Sequence, residues 1–136
     1  MKRLNNRLLL FLFLLLLSAC KGGESQKRSS TAIEKSNIVF QNLLHDFGVV
    51  KRGDEVGAVF GFVNDGEYPV VIQKVEAGCG CTAVNYTKTL IEPSAKGFVE
   101  VIFDSHGQQG YQRKNVRVFA NIPEGSILLT VIAVVE

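Results

Sequence analysis

From Ile38 onward, short apolar runs are separated by clusters of Gly, Asn, Asp and Pro, the rhythm of β-strands punctuated by turns. No stretch shows apolar residues at helical spacing. The pattern predicts strands over 37–41, 47–50, 55–64, 70–77, 81–86, 97–104, 112–120 and 126–135. Turns are expected at 51–54, 64–67, 104–110 and 121–125, where the residues tolerate positive φ or hydrogen-bond locally. Strands this short and this closely spaced, with no helical connections, imply antiparallel pairing. A two-sheet sandwich then buries their apolar faces most economically. The predicted class is an all-β, antiparallel β-sandwich of seven or eight strands.

Two strands carry more detail. In 55–64 one face holds Val56, Ala58, Phe60 and Phe62, and the other holds Gly57, Val59, Gly61 and Val63, so both faces are expected to be covered. The stretch 126–135 is almost wholly apolar and belongs in the middle of a sheet, since such a strand at an open edge invites aggregation. Phe60, Phe62, Val101, Phe103, Val118 and Val131 are the expected core.

The start of the chain has a different pattern. Lys2, Arg3 and Arg7 precede an unbroken Leu/Phe run from Leu8 to Leu17, followed by Ser18-Ala19-Cys20. This is the form of a secretory signal peptide, and the run is shorter than the roughly 20 apolar residues that span a bilayer. Cleavage before Cys20 puts bulky Leu17 at the third position before the cut, which suits ordinary signal peptidase poorly. The segment resembles a bacterial lipobox instead, which implies lipidation of Cys20 and removal of residues 1–19. The polar segment from Lys21 to about Ser36 cannot bury enough surface to order itself. It reads as a tether, with Cys20 at its head (residues 20–36) and a random-coil reach of roughly 20 Å, before a single domain over 37–136. The implied place is the bacterial cell envelope, with the domain held at a membrane and facing the periplasm.

Charge adds little. Three of the 15 Lys/Arg precede residue 20 whereas all 13 Asp/Glu follow it, so the mature chain carries 12 against 13 and has no basic cluster for nucleic acid. Cysteine count adds more. Of the three cysteines, lipidation of Cys20 leaves Cys79 and Cys81 as a pair in a compartment that permits disulfides.

Gly78-Cys79-Gly80-Cys81-Thr82 is the sharpest internal motif. In a regular strand the two Cα atoms would lie about 6.6 Å apart, near the upper end of the disulfide range, and the flanking glycines give the backbone room to pucker. Three readings stay open: a structural pair, a redox-active pair, or a soft-metal site for Cu(I) or Zn(II). Zinc needs further ligands, and the two histidines, His45 and His106, fall at no metal-site spacing and read as turn or surface residues. The single methionine, Met1, lies in the signal, so thioether ligation of copper is excluded. No nucleophile elbow, zinc-protease helix or phosphate loop is present, and no catalytic residue or cofactor is assigned. Asn85-Tyr86-Thr87 matches the glycosylation triplet by a frequent coincidence.

His45-Asp46-Phe47-Gly48, Gly53, Val63-Asn64-Asp65-Gly66, Cys79-Gly80-Cys81-Thr82, Pro93, Phe103-Asp104 and Gly110 occur in an order that resembles the bacterial domain of unknown function 1573. The likeness runs from about Phe40 to Glu136. It implies an immunoglobulin-like sandwich related to the major-sperm-protein type, in a family whose members are often exported or lipid-anchored and whose role is not established. One departure is Pro93-Ser94-Ala95-Lys96-Gly97 where the family often has Pro-Gly, which bears on that turn. The expected function is a non-enzymatic, lipid-anchored module that binds another envelope protein. The alternative is a redox or Cu(I) thiol site at Cys79 and Cys81.

Overall fold

In the computed structural model, residues 34–136 are described. The expected signal peptide, Cys20 and most of the tether lie outside the described residues. Eight strands succeed one another: β1 (Ile38–Phe40), β2 (Leu44–Val50), β3 (Glu55–Asn64), β4 (Ile72–Ala77), β5 (Thr82–Tyr86), β6 (Lys96–Asp104), β7 (Gly110–Ala120) and β8 (Ser126–Val135). They form two four-stranded sheets, ordered β1-β3-β6-β5 and β2-β8-β7-β4. The class is an all-β, immunoglobulin-like sandwich. Alternation sends Ala58, Phe60 and Phe62 of β3 inward against Val99, Val101, Val118, Leu129 and Val131, all of them buried. All six expected core residues are buried, and Phe103 joins a second cluster with Val50, Ala133 and Val135.

Three expectations change. The pairing is not wholly antiparallel: β2 runs parallel to β8. Gln41 N–H still donates to Gly61 O of the first sheet at 3.1 Å, whereas Leu43 O accepts from Thr130 N–H of the second at 2.9 Å. The chain therefore crosses between sheets at Asn42 without reversing, and β2 keeps the direction of β1. Second, β3 is not covered on both faces. Val59 is 66% exposed and Val39, which pairs with Val63 farther along β3, 50%, because nothing among the described residues packs on the outside of the first sheet. Third, the domain starts before residue 37. Ser36 is buried, its N–H donates to Asn121 O at 2.8 Å, and the Asn121 side chain donates to Glu34 O at 2.8 Å.

Strand β2 also begins earlier than expected, at Leu44, and its register against β8 shifts between Asp46 and Val49. Gly48 takes φ +67 there and its N–H donates to Asp46 Oδ1 at 2.8 Å, so His45-Asp46-Phe47-Gly48 is the local chemistry of a bulge. Strand β8 is central in its sheet, between β2 and β7, as its composition requires.

The sandwich has two different ends. Ser36, the turn after Asn64 and the segments 91–95 and 121–125 form one. The turn 51–54, the loop 104–110 and Thr82, paired with Phe103, form the other. Cys79 and Cys81 therefore lie toward the end opposite Ser36.

Candidate functional site

Strand β4 is an edge of the second sheet and β5 an edge of the first, so residues 78–81 carry the chain from one sheet to the other. Gly78 N–H donates to Asn115 O at 3.0 Å and Asp104 N–H donates to Cys81 O at 3.0 Å, tying the turn to both sheets. Between these anchors the backbone leaves the extended path, the two Cα atoms lie 5.3 Å apart, and Cys79 and Cys81 are joined by a disulfide. The 6.6 Å of a regular strand does not apply because the pair occupies a turn.

The two sulfurs have different surroundings. Cys81 is half-buried and packs against the apolar cluster of Val50, Phe103, Ala133 and Val135. Cys79 Sγ lies 3.4 Å from Thr82 Oγ1. A disulfide sulfur carries no hydrogen, so the hydroxyl is the donor. Thr82 is only 8% exposed, and this sulfur is the one side-chain partner its hydroxyl has among the described residues. Gly80 is exposed, and a Cβ built on it meets no atom within 4 Å, so the backbone between the cysteines is uncovered. Beside the turn, Glu76, Gly78, Asn115, Arg117 and Leu128 line an open cleft of about 280 Å³.

Neither histidine lies with the pair. His45 is exposed on β2 with its ring 4.7 Å from that of Phe47, edge to face. His106 is exposed in the 104–110 loop, where its N–H donates to Asp104 Oδ1 at 2.8 Å and its Nδ1 lies 2.7 Å from the same oxygen. The backbone bond first, and the side-chain bond second, hold the Asp104 carboxyl below its ordinary value of 3.8. No group of three or more His, Cys, Asp or Glu among the described residues is placed to hold a metal ion. Asn85 is exposed on β5.

Sequence reasoning did not single out Thr82 beyond its place in the motif, and it missed the polar knot at the opposite end. Asn64, fully buried, donates from Nδ2 to Tyr68 O and Ile91 O, both at 2.8 Å, and accepts from Ser36 Oγ at 2.8 Å and Gly66 N–H at 3.0 Å. Asn121 accepts from Val71 N–H at 2.7 Å and donates to Pro69 O at 2.9 Å as well as to Glu34 O. A Cβ on Gly66 would collide with Ser36 Oγ, so the Asn64-Asp65-Gly66 turn is fitted to this knot. The signal available in the sequence was an Asn at each of two turn starts, which reads equally well as turn chemistry.

The family model described as protein of unknown function (DUF1573) matches residues 38–135. The chain belongs to this family. The matched span of the DUF1573 domain runs from the first residue of β1 to the last of β8. A protein of unknown function from Porphyromonas gingivalis W83 is similar in structure, with a TM-score of 0.65 at 18% identity. That match covers 79% of this chain and 50% of the other, so this chain spans half the length of that protein. An ASH/PapD-like domain of human CEP192 gives a TM-score of 0.60 at 10% identity, covering 73% of this chain and 84% of that one. The secreted serine protease VesC of Vibrio cholerae gives 0.54 at 12% identity, covering 74% of this chain and 23% of that one. At such identities these likenesses show the fold alone. No curated protein matches the chain significantly.

Proposed function

We propose that this DUF1573 protein is a lipid-anchored component of the bacterial cell envelope, facing the periplasm, whose sandwich is a non-enzymatic module that binds another envelope protein. The observation that carries the binding reading is the outer face of the first sheet. There Val39, Val59 and Phe98 are 50%, 66% and 38% exposed, with Glu100 opposite Val59, Lys96 opposite Val63 and the Gln41 side chain over Gly61 among them. Several large apolar side chains left in water on one sheet face are a surface feature that interaction sites on soluble domains carry. The anchor reading rests on Lys2 to Cys20 of the sequence.

A photo-crosslinking residue in place of Val39, in cells producing the full-length chain, is expected to give one discrete protein adduct that Val59→Glu suppresses without changing the melting temperature. Absence of any discrete adduct from Val39 and Phe98 positions would overturn the binding reading. Cys20→Ser is expected to move the protein from the membrane to the soluble fraction, and retention at the membrane would overturn the anchor.

A second reading is favoured by one observation, the buried Thr82 hydroxyl donated to Cys79 Sγ. Under it the Cys79–Cys81 pair exchanges electrons with thiols. Persistence of the crosslinked adduct when both cysteines are replaced by serine separates the two functions.

A further inference from the structure

We propose that the Cys79–Cys81 disulfide accepts two electrons from a dithiol, that Cys79 is the sulfur that leaves in the first step, and that Thr82 is the positioning residue that makes it so. This rests on the thiol-exchange reading above. The asymmetry around the bond decides the direction. Negative charge forms on the departing sulfur, and a thiolate of lower pKa leaves faster. On Cys79 that charge meets the Thr82 hydroxyl, already aimed at it from 3.4 Å. On Cys81 it would form against Val50, Phe103, Ala133 and Val135, where an apolar setting opposes a thiolate. Gly80 is exposed and Cys81 only half-buried, so the turn that carries the bond faces solvent.

In the first step one thiolate of the dithiol attacks Cys81 Sγ, the Cys79–Cys81 bond breaks, and its electron pair leaves on Cys79 Sγ, which then takes a proton from water. The second thiol of the partner loses its proton to water and attacks its neighbour in the mixed disulfide. That closes the partner's disulfide and expels Cys81 as a thiolate, which is protonated in turn. The partner is oxidised by two electrons and the pair is reduced by two. The cleft along Glu76, Gly78, Asn115, Arg117 and Leu128 offers a polypeptide dithiol a surface beside the turn.

The test uses the full-length, oxidised chain in detergent with dithiothreitol as the dithiol. Maleimide quenching and mass spectrometry of the peptide holding Cys79 and Cys81 track its reduction, so Cys20 does not enter. The wild-type pair is expected to reduce while the circular dichroism of the fold is unchanged. Thr82→Val should slow reduction by roughly 3- to 10-fold, as loss of one hydrogen bond to developing charge implies, and Thr82→Ser should restore it. A merely structural Thr82 predicts the opposite sign, since a loosened turn exposes the bond and speeds reduction. Equal or faster reduction in Thr82→Val overturns the role of Thr82 and leaves thiol exchange standing. A wild-type pair that resists dithiothreitol until the domain unfolds overturns both.

Discussion

Replacing Asn64 by Leu removes the amide while keeping its branched shape, and the cost is set by the partners left behind. Nδ2 donates to Tyr68 O and Ile91 O, and Oδ1 accepts from Ser36 Oγ and Gly66 N–H. Not all four partners suffer equally. Tyr68 O, 2.6 Å from Ser36 Oγ, takes the one hydroxyl hydrogen that Oδ1 no longer competes for, and Ile91 O keeps Val70 N–H at 2.9 Å. Gly66 N–H has no second acceptor among the described residues, and an orphaned donor costs about 1–3 kcal/mol. The three remaining bonds, worth about 0.5–1.5 kcal/mol each but partly replaced, bring the expected loss to about 3–5 kcal/mol. That is a large share of the roughly 5–15 kcal/mol that holds a domain of this size. The backbone bonds of residue 64 to Ala95 and Ser94 survive any side chain, so the fold is expected to persist. Urea denaturation at constant slope measures the change. A loss under about 1 kcal/mol would refute the view that this knot closes the end of the sandwich by hydrogen bonding. Asn64→Asp sharpens the test, because its second oxygen faces two carbonyls. It should destabilise more than Leu at neutral pH and recover in part as acid protonates the carboxyl and restores one donation.

Phe62→Ala, at a ring 2% exposed and 4.9 Å from that of Phe40, should cost about 3–5 kcal/mol in denaturant melts. Gly97→Ala drives a Cβ into the Phe62 ring and should also destabilise, with a double-mutant cycle showing less cost in a Phe62→Leu background. Ser94 sits at φ +66, the one non-glycine residue with positive φ among the described residues, in a turn that Ala95 N–H closes on Glu92 O at 2.9 Å. Ser94→Gly should therefore stabilise by about 0.5–1 kcal/mol, seen as a raised melting temperature. Asp104, held as a carboxylate by His106 N–H, contributes stability that is present above its ordinary value of 3.8 and lost as pH falls through its lower folded value. A carboxyl titration monitored by NMR should show that lower midpoint, and Asp104 should lose the His106 ring's share of the shift in His106→Ala.

Strand content and the inward face were legible in local pattern. Period-two alternation groups Phe60 with Phe62 on one face of β3 and Val101 with Phe103 on one face of β6, and the larger side chains of those faces favour the inside, while the unbroken apolar run of β8 demands a central position. The parallel pairing of β2 was not legible, because it depends on the chain crossing between sheets at Asn42 without a reversal, and no turn residue signals a crossing. Exposure of Val59 was equally hidden, since a β-strand pattern shows that a face is apolar but not that another layer covers it. The Pro93-Ser94 turn was visible as a departure, and its positive φ came only with the backbone. At the thiol turn, spacing brought the two sulfurs within reach of each other and no further. Which one meets a hydroxyl and which one meets the core was decided by the crossover from β4 to β5, which sets Thr82 beside Cys79 and turns Cys81 toward Val50 and Phe103. Thr82 is only three residues from Cys79, but the apolar setting of Cys81 comes from packing between residues far apart in the chain, so the difference between the two sulfurs is complete only once the two sheets have closed on each other.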